Sequence, residues 1–282
     1  MTSFAKLPTR VGGTVLAALV AGMMATTAHA EECTPKHKFE TIVPGTLTVA
    51  VVSVSPIIEL KDGKLGGFEG AILNEFARVE CLKIDAQEIA GAGIIPAVQA
   101  KRVDLATGGW YRSKRRQEIV AMSYPTMVSK SALVSTSGDF PTYESAKGHL
   151  VGTPQGNLWV AEAQAYYGDN MKIYQSFDQV FADLRAGRVE VALVPYELAE
   201  RVAKDGSVPN AKVTVPEGIA EISTTMKVPQ VGFPHVLDNP DFTAALDADI
   251  KEMHENGLIK KALEEVGIPT DLAETGEPYF ID

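Results

Sequence analysis

"LTVAVVSVSPIIELKDGKLGGFEGAILNEFARVE", residues 47–80, changes its period halfway along. Its first six residues are apolar or β-branched, with no charge, as in a strand buried on both faces. After Gly66-Gly67 the apolar residues fall at helical spacing (Ile72, Phe76, Val79). The same alternation continues outward. "LKIDAQEI" (82–89), "IIPAVQAKR" (94–102) and "DLATGG" (104–109) follow it. "HLVGTP" (149–154), "NLWVAEAQAYY" (157–167), "KIYQSF" (172–177), "FDQVFADLRAG" (177–187), "VEVALVP" (189–195) and "YELAERVAK" (196–204) form a second series. Strands alternating with helices predict an α/β fold, with crossover helices on the faces of its sheets.

Two stretches interrupt the alternation. Residues 128–148 run from an alternating strand into a Gly/Pro/Ser-rich connection, and residues 227–241 hold three prolines and a glycine. After the second break, residues 242–267 read as one long amphipathic helical pattern, interrupted at Asn256-Gly257 and expected to be a helix pair packed on a sheet.

At the start of the chain, Lys6 and Arg10 precede the apolar run at 15–24, and Ala28-His29-Ala30 follows. This is the pattern of a secretory signal with a small-residue cleavage site, so residues 1–30 are expected to be removed on export to the periplasm. Their loss takes the net charge from −10 to −12 by removing those two cations. So acidic a balance argues against nucleic acid as a partner, because phosphate binding needs a basic face. Cys33 and Cys81 are the chain's two cysteines. In an exported protein an even pair reads as one disulfide, closing a loop that constrains the unfolded chain by roughly 4 kcal/mol at most. Two free buried thiols are the alternative. The mature chain is expected to be soluble and monomeric.

Against this acidic background "TGGWYRSKRRQEIVAMSYP", residues 107–125, gathers Arg112, Lys114, Arg115 and Arg116. A strand should end near Gly109, and Ser113 is a good N-cap for the helix after it. Cations in a first turn oppose the helix dipole, so their presence there suits a bound anion. A solvated basic face is the plainer alternative.

In the order and spacing of these pieces the chain resembles the periplasmic solute-binding proteins of ABC importers, in the family that binds amino acids and related polar compounds. The resemblance runs from about Leu47 to Gly267. It is carried by residues 47–77, by "IIPAVQAKRVDLATGGWYRSKRRQEIVAMSYP" (94–125), and by "VGTPQGNLWV" (151–160). "LRAGRVEVALVPYELAERV" (184–202) and the helical ending at 247–268 complete it. It implies the type II periplasmic-binding fold: two αβ lobes joined by two crossing hinge strands, with the solute in the cleft. Lobe 1 would be discontinuous, holding 31–130 and 227–282, and lobe 2 would hold 131–226. A Thr/Ser-x-x-Arg step in this family supplies the arginine that pairs with the solute's carboxylate. Counted from Ser123-x-Pro125, that arginine is Arg116, with Ser113 as cap. Arg112 is a second candidate anion contact, and the remaining cations of the cluster are expected at the surface.

Other pocket positions depart from the family. Ser55 and Ile58 stand where it has a stacking aromatic, and Tyr111 replaces its hydroxyl residue five before the arginine, behind Gly109 and Trp110. Its Gly-Ser/Thr-Thr cradle becomes Gly156-Asn157-Leu158, with Asn157 expected to cap the next helix. Pro195, with neither charge nor N–H, replaces the aspartate that holds the α-ammonium. Glu197 and Glu69 are candidate substitutes, with a solvated helix position the alternative for Glu197 and a cap on its own helix the favoured role for Glu69. Trp110, Tyr111, Trp159 and Tyr196 are candidate cleft walls, with ordinary core packing the alternative for each. The implied function is capture of a small carboxylate-bearing solute and its delivery to a membrane permease, with no cofactor. An enzyme of the same fold, a cyclohexadienyl (prephenate or arogenate) dehydratase, is the alternative. Neither a Gly-x-Ser-x-Gly elbow nor a local metal-ligand spacing occurs, so neither a serine hydrolase nor a metal is expected.

Overall fold

The computed structural model describes residues 33–281. The expected signal segment, residues 1–30, lies outside them. The first series runs β1 (Thr46–Val51), the hairpin β2–β3 (Glu59–Lys61, Lys64–Gly66), α1 (Gly67–Val79), β4 (Lys83–Glu88), α2 (Gly91–Gln99), β5 (Leu105–Thr107), α3 (Lys114–Gln117) and β6 (Ala121–Met122). Next come β7 (Met127–Val128), β8 (Ser131–Ser135), β9 (Val151–Pro154), α4 (Val160–Tyr167), β10 (Met171–Tyr174), α5 (Phe177–Arg185), β11 (Val191–Pro195), α6 (Tyr196–Lys204) and β12 (Lys212–Thr214). The chain then returns through β13 (Gln230–Val231), β14 (Pro234–His235), α7 (Pro240–Glu255) and α8 (Leu258–Glu265).

Two five-stranded sheets result, ordered β4-β1-β5-β14-β6 and β10-β9-β11-β8-β12. They repeat one plan. In the first, β1 runs parallel to β4 and β5, and β14 enters antiparallel between β5 and β6. In the second, β9 runs parallel to β10 and β11, and β8 lies antiparallel between β11 and β12. The most apolar strand of each half, β1 in the first sheet and β11 in the second, is covered on both faces. Leu47, Val49, Ala50 and Val51 are fully buried, as are Val191, Ala192, Leu193 and Val194 in the middle strand β11. Between the sheets, β7 leads into the second and β13 leads back, and the two pair antiparallel as a short ladder.

Helix α7 starts at the Asn239 cap with Pro240 at its first position, and Gly257, at φ 82°, breaks it from α8. Helix α7 meets the first sheet at β14, where His235 Nε2 lies 2.8 Å from Thr243 Oγ1 and its ring 5.7 Å from that of Phe242, and the pair also packs closely on helix α1. The contact with α1 is aromatic: the Phe76 ring of α1 meets Phe242 of α7 edge-on at 5.8 Å, and Phe39 meets both at 5.9 and 5.4 Å. Both cysteines are disulfide-bonded, as Cys33–Cys81. Among the described residues no helix is long and apolar enough to cross a membrane.

Candidate functional site

The turn between β5 and α3 is built on two glycines. Gly108 and Gly109 take φ values of 130° and 72°, which side-chain-bearing residues rarely adopt. Two successive N–H groups thereby point the same way, and the Glu69 carboxylate accepts both, at 2.8 Å from Gly108 and 3.1 Å from Gly109. Helix α1 has Gly66 at its N-cap with no side-chain cap, so Glu69 does not cap its own helix as expected. It sits one turn inside, where its side chain crosses to the β5 turn instead. Burial pushes its carboxyl up to about 7 even though the two N–H groups favour the charge.

Beyond the glycines, Trp110 donates its indole N–H to the Thr107 carbonyl at 2.9 Å. Ser113 caps α3 as the sequence predicts, accepting the Arg116 N–H at 3.3 Å. The Arg116 side chain folds back over its own turn: a guanidinium N–H donates to the Tyr111 carbonyl at 2.7 Å, and Cζ lies 4.9 Å from the Trp110 ring centroid. Among the described residues no carboxylate pairs with it. Burial holds its pKa down to about 10, because desolvation penalises a cation with no counter-charge.

Arg112 is drawn inside the protein and is no surface charge, and its Nε is buried without a hydrogen-bond partner. It is 5% exposed and donates to Gln230 Oε1 at 2.8 Å and to the Tyr279 carbonyl at 3.0 Å, with Cζ 4.4 Å from the Phe280 ring. The backbone adds to this strap. Arg112 N–H donates to the Gln230 carbonyl, Ile281 N–H to the Arg112 carbonyl, and Lys114 N–H to the Ile281 carbonyl. Arg115, by contrast, is exposed as expected.

Tyr111 carries the site across to the second sheet. Its ring is 5% exposed and lies 6.1 Å from that of Trp159, which is 1% exposed and donates to Thr153 Oγ1 at 2.9 Å. The Tyr111 hydroxyl meets Ser129 Oγ at 3.2 Å, and Ser129 also reaches both Glu197 carboxylate oxygens, at 2.9 and 3.0 Å. Glu197 is the second residue of α6, two positions after Pro195, and is 4% exposed, and burial pushes its carboxyl up to about 7. One residue thus links a half-buried cation to a buried carboxyl: Tyr111 touches Arg116 through its carbonyl and Glu197 through Ser129.

The remaining predicted positions stand apart from this chain of contacts. Ser55 is exposed, before a cis peptide bond to Pro56. Asn157 does not cap α4, which begins at Val160 with Trp159 at the N-cap. Its amide instead donates to the Pro154 carbonyl at 3.2 Å, tying off the β9 turn. Leu158 packs half-buried on the core, and Tyr196 lies beside Glu200 and Asp271. Among the described residues, no hydrogen bond or ring contact joins Ser55, Asn157, Leu158 or Tyr196 to Arg116. Ser129 was not foreseen, since a serine within a hinge-like stretch carries no local signal.

The model of the bacterial extracellular solute-binding proteins, family 3, matches residues 47–266. The lysine/arginine/ornithine-binding periplasmic protein of Escherichia coli (strain K12) is 29% identical over 161 residues, 54% of this chain and 61% of that protein. This match therefore spans about three-fifths of that relative. The L-cystine-binding protein TcyJ of the same organism is 26% identical over 270 residues, covering 93% of this chain and 96% of that protein. Among solved structures, an ancestral arginine-binding protein bound to arginine superposes with a TM-score of 0.67 at 24% identity, covering 78% of this chain and 97% of the other. A structure from work on glutathione import via GshT and the cystine importer TcyBC of Streptococcus mutans gives 0.70 at 20% identity, covering 79% and 95%. At such identities the superpositions speak for the fold, which is the two-lobed type II periplasmic-binding fold. With the family model spanning both sheets, the chain belongs to the bacterial extracellular solute-binding proteins, family 3.

Proposed function

We propose that this protein is the periplasmic solute-binding component of an ABC importer, capturing an amino acid or related carboxylate-bearing solute and delivering it to a membrane permease. One observation carries the reading: the half-buried Arg116 guanidinium, at the turn between β5 and α3, has a backbone carbonyl and an indole face but, among the described residues, no acidic partner. A cation partly withdrawn from water and left so gains from an anion that completes it. The solute's carboxylate is that ligand. Family membership and the amino-acid-binding names of the relatives support the solute class.

Glu197 offers the complementary charge. Pro195 stands where the resemblance places an ammonium-binding aspartate, and two residues on, Glu197 is a buried carboxyl without a cation. An α-ammonium beside it would favour its ionised form. Residues 31–130 with 227–282 form lobe 1 and residues 131–226 form lobe 2, with β7 and β13 as the hinge. Closure brings Tyr111 against Trp159 and excludes water, which strengthens the charged contacts. The protein acts as a monomer in the periplasm after loss of residues 1–30. Catalysis by a dehydratase-like route gains no support, since the family and the relatives are solute-binding proteins and both buried carboxyls are held by protein donors.

The test is a thermal-shift panel on protein unfolded and refolded to strip carried-over ligand, pairing each amino acid with the same acid lacking its amine. Stabilisation by amino acids alone supports Glu197 as the ammonium partner. Stabilisation by both members of a pair assigns recognition to Arg116 alone. No stabilisation by any carboxylate would sink the reading.

A further inference from the structure

A second group of charges lies where the N-terminal segment crosses α1 and α7. The His37 N–H donates to Glu80 Oε2 at 2.9 Å, and His37 Nδ1 lies 2.6 Å from Glu80 Oε1. Glu80 is the C-cap of α1 and is 3% exposed. Asp249, from the buried face of α7, is 2% exposed and comes within 3.8 Å of the same imidazole nitrogen. Its Oδ1 accepts from Lys36 Nζ at 2.6 Å, and Lys36 also pairs with Glu252, but Asp249 Oδ2 is buried without a hydrogen-bond partner. Two buried carboxylates thus face one imidazole, and one of them, Asp249, keeps an oxygen without a partner.

We propose that His37, Glu80 and Asp249 form a binding site for one divalent transition-metal ion of the Zn2+ kind. Each residue offers one ligand atom, and these atoms all lie within 4.8 Å of one another. One imidazole nitrogen with two carboxylate oxygens is a borderline donor set that suits zinc and leaves a fourth position for water. Mg2+ and Ca2+ call for more oxygens and no imidazole. Ligands about 2 Å from a tetrahedral ion sit roughly 3.3 Å apart. The ion would therefore open the His37–Glu80 contact by a fraction of an ångström and draw Asp249 in. Asp249 and Glu252 pair with the Lys36 ammonium while Glu80 faces His37, so the cluster holds three carboxyls to one ammonium, an excess of acid that a dication would neutralise. Lys36 can keep Oδ1 while the metal takes Oδ2. The His37 side chain, 31% exposed, is the way in from solvent. Local spacing could not reveal this site, because its three residues are far apart in the chain. The metal would pin the N-terminal segment to α1 and α7, at a distance from solute recognition.

The test uses protein carrying no affinity tag, dialysed against a chelator and then titrated calorimetrically with ZnCl2. Thermal melts with and without the metal accompany the titration. The expected result is saturable uptake of one equivalent with a rise in Tm, and no shift with MgCl2 at equal concentration. His37→Gln and Asp249→Asn should each weaken zinc uptake at least tenfold. His149→Gln, which alters another histidine–carboxylate pair (with Glu190), should leave it unchanged. His37 is partly exposed, so its variant should keep the wild-type response to solute, which checks that it has folded. No uptake by the wild-type chain, or equal uptake by the wild type and His37→Gln, would overturn the site. Loss in His149→Gln instead would do the same.

Discussion

Arg112 and Arg116 stand four residues apart in one cationic run, and both are largely withdrawn from water, but they are held in opposite ways. Arg112 ends in a ring of internal acceptors, the Gln230 side chain and the Tyr279 carbonyl, beneath the Phe280 ring. Arg116 ends on one carbonyl and one indole face. Arg112 is tied to the returning chain by two acceptors on one guanidinium nitrogen, although its buried Nε has no partner. Arg116 has a single internal acceptor and is the more open to something that arrives. Charge count along the sequence cannot separate these cases, whereas acceptor count in the structure does.

That contrast can be broken experimentally, and the largest effect should come from Arg116→Ala. We expect solute binding to weaken by about 2–5 kcal/mol, because a hydrogen-bonded charge pair loses one partner. Tm without solute should hold or rise. Calorimetric titration checks this, and equal losses from Arg116→Ala and Arg115→Ala would return the run to a diffuse basic patch. Glu197→Gln comes next. The folded carboxyl is pushed from about 4.5 up to about 7, so wild-type stability falls as pH rises through that window and the penalty is full above it. The amide carries no such penalty. The variant should match the wild type near pH 4.5 and exceed it above pH 7, by up to about 3 kcal/mol. Melts from pH 4.5 to 8.5 test this, and a difference independent of pH would reject it.

Arg112→Ala should cost stability instead of affinity, about 1–3 kcal/mol, since Gln230 and the Tyr279 carbonyl lose a buried donor. Urea unfolding without solute reads this directly. Ser113→Ala should remove about 1 kcal/mol by uncapping α3, with a smaller loss of affinity as the Arg116 turn loosens. Arg115→Ala, at an exposed position, should stay within about 0.5 kcal/mol by either measure.

Elements whose character is local were legible in the chain. The change of period at Gly66-Gly67 gave β1 and α1, Ser113 announced its cap, and Asn256-Gly257 marked the break between α7 and α8. Side chains that work across the fold were not. Glu69 looked like a cap because it lies three residues into its helix, but its acceptors serve a turn thirty-nine positions on. Asn157 also looked like a cap, and instead closes the turn behind it. Arg112 stood out in the sequence only as a second candidate anion contact, with no sign that the returning segment at Tyr279 would cover it. The Ser129 bridge depends on β7 and α6 converging, which no spacing in the sequence encodes.

The chain holds two tryptophans, Trp110 and Trp159, and both fall within this one junction. Trp110 lies under the Arg116 guanidinium, and Trp159 lies beside Tyr111 from the opposite sheet. The protein therefore carries its own optical reporter. Its ultraviolet emission comes from two indoles that both border the contacts a solute or a hinge movement would alter. A charged carboxylate arriving at Arg116 perturbs one indole, and separation of Tyr111 from Trp159 changes the surroundings of the other. Replacing either tryptophan by phenylalanine would leave a single probe, so that charge arrival and lobe movement could be timed separately in a stopped-flow instrument without any attached dye.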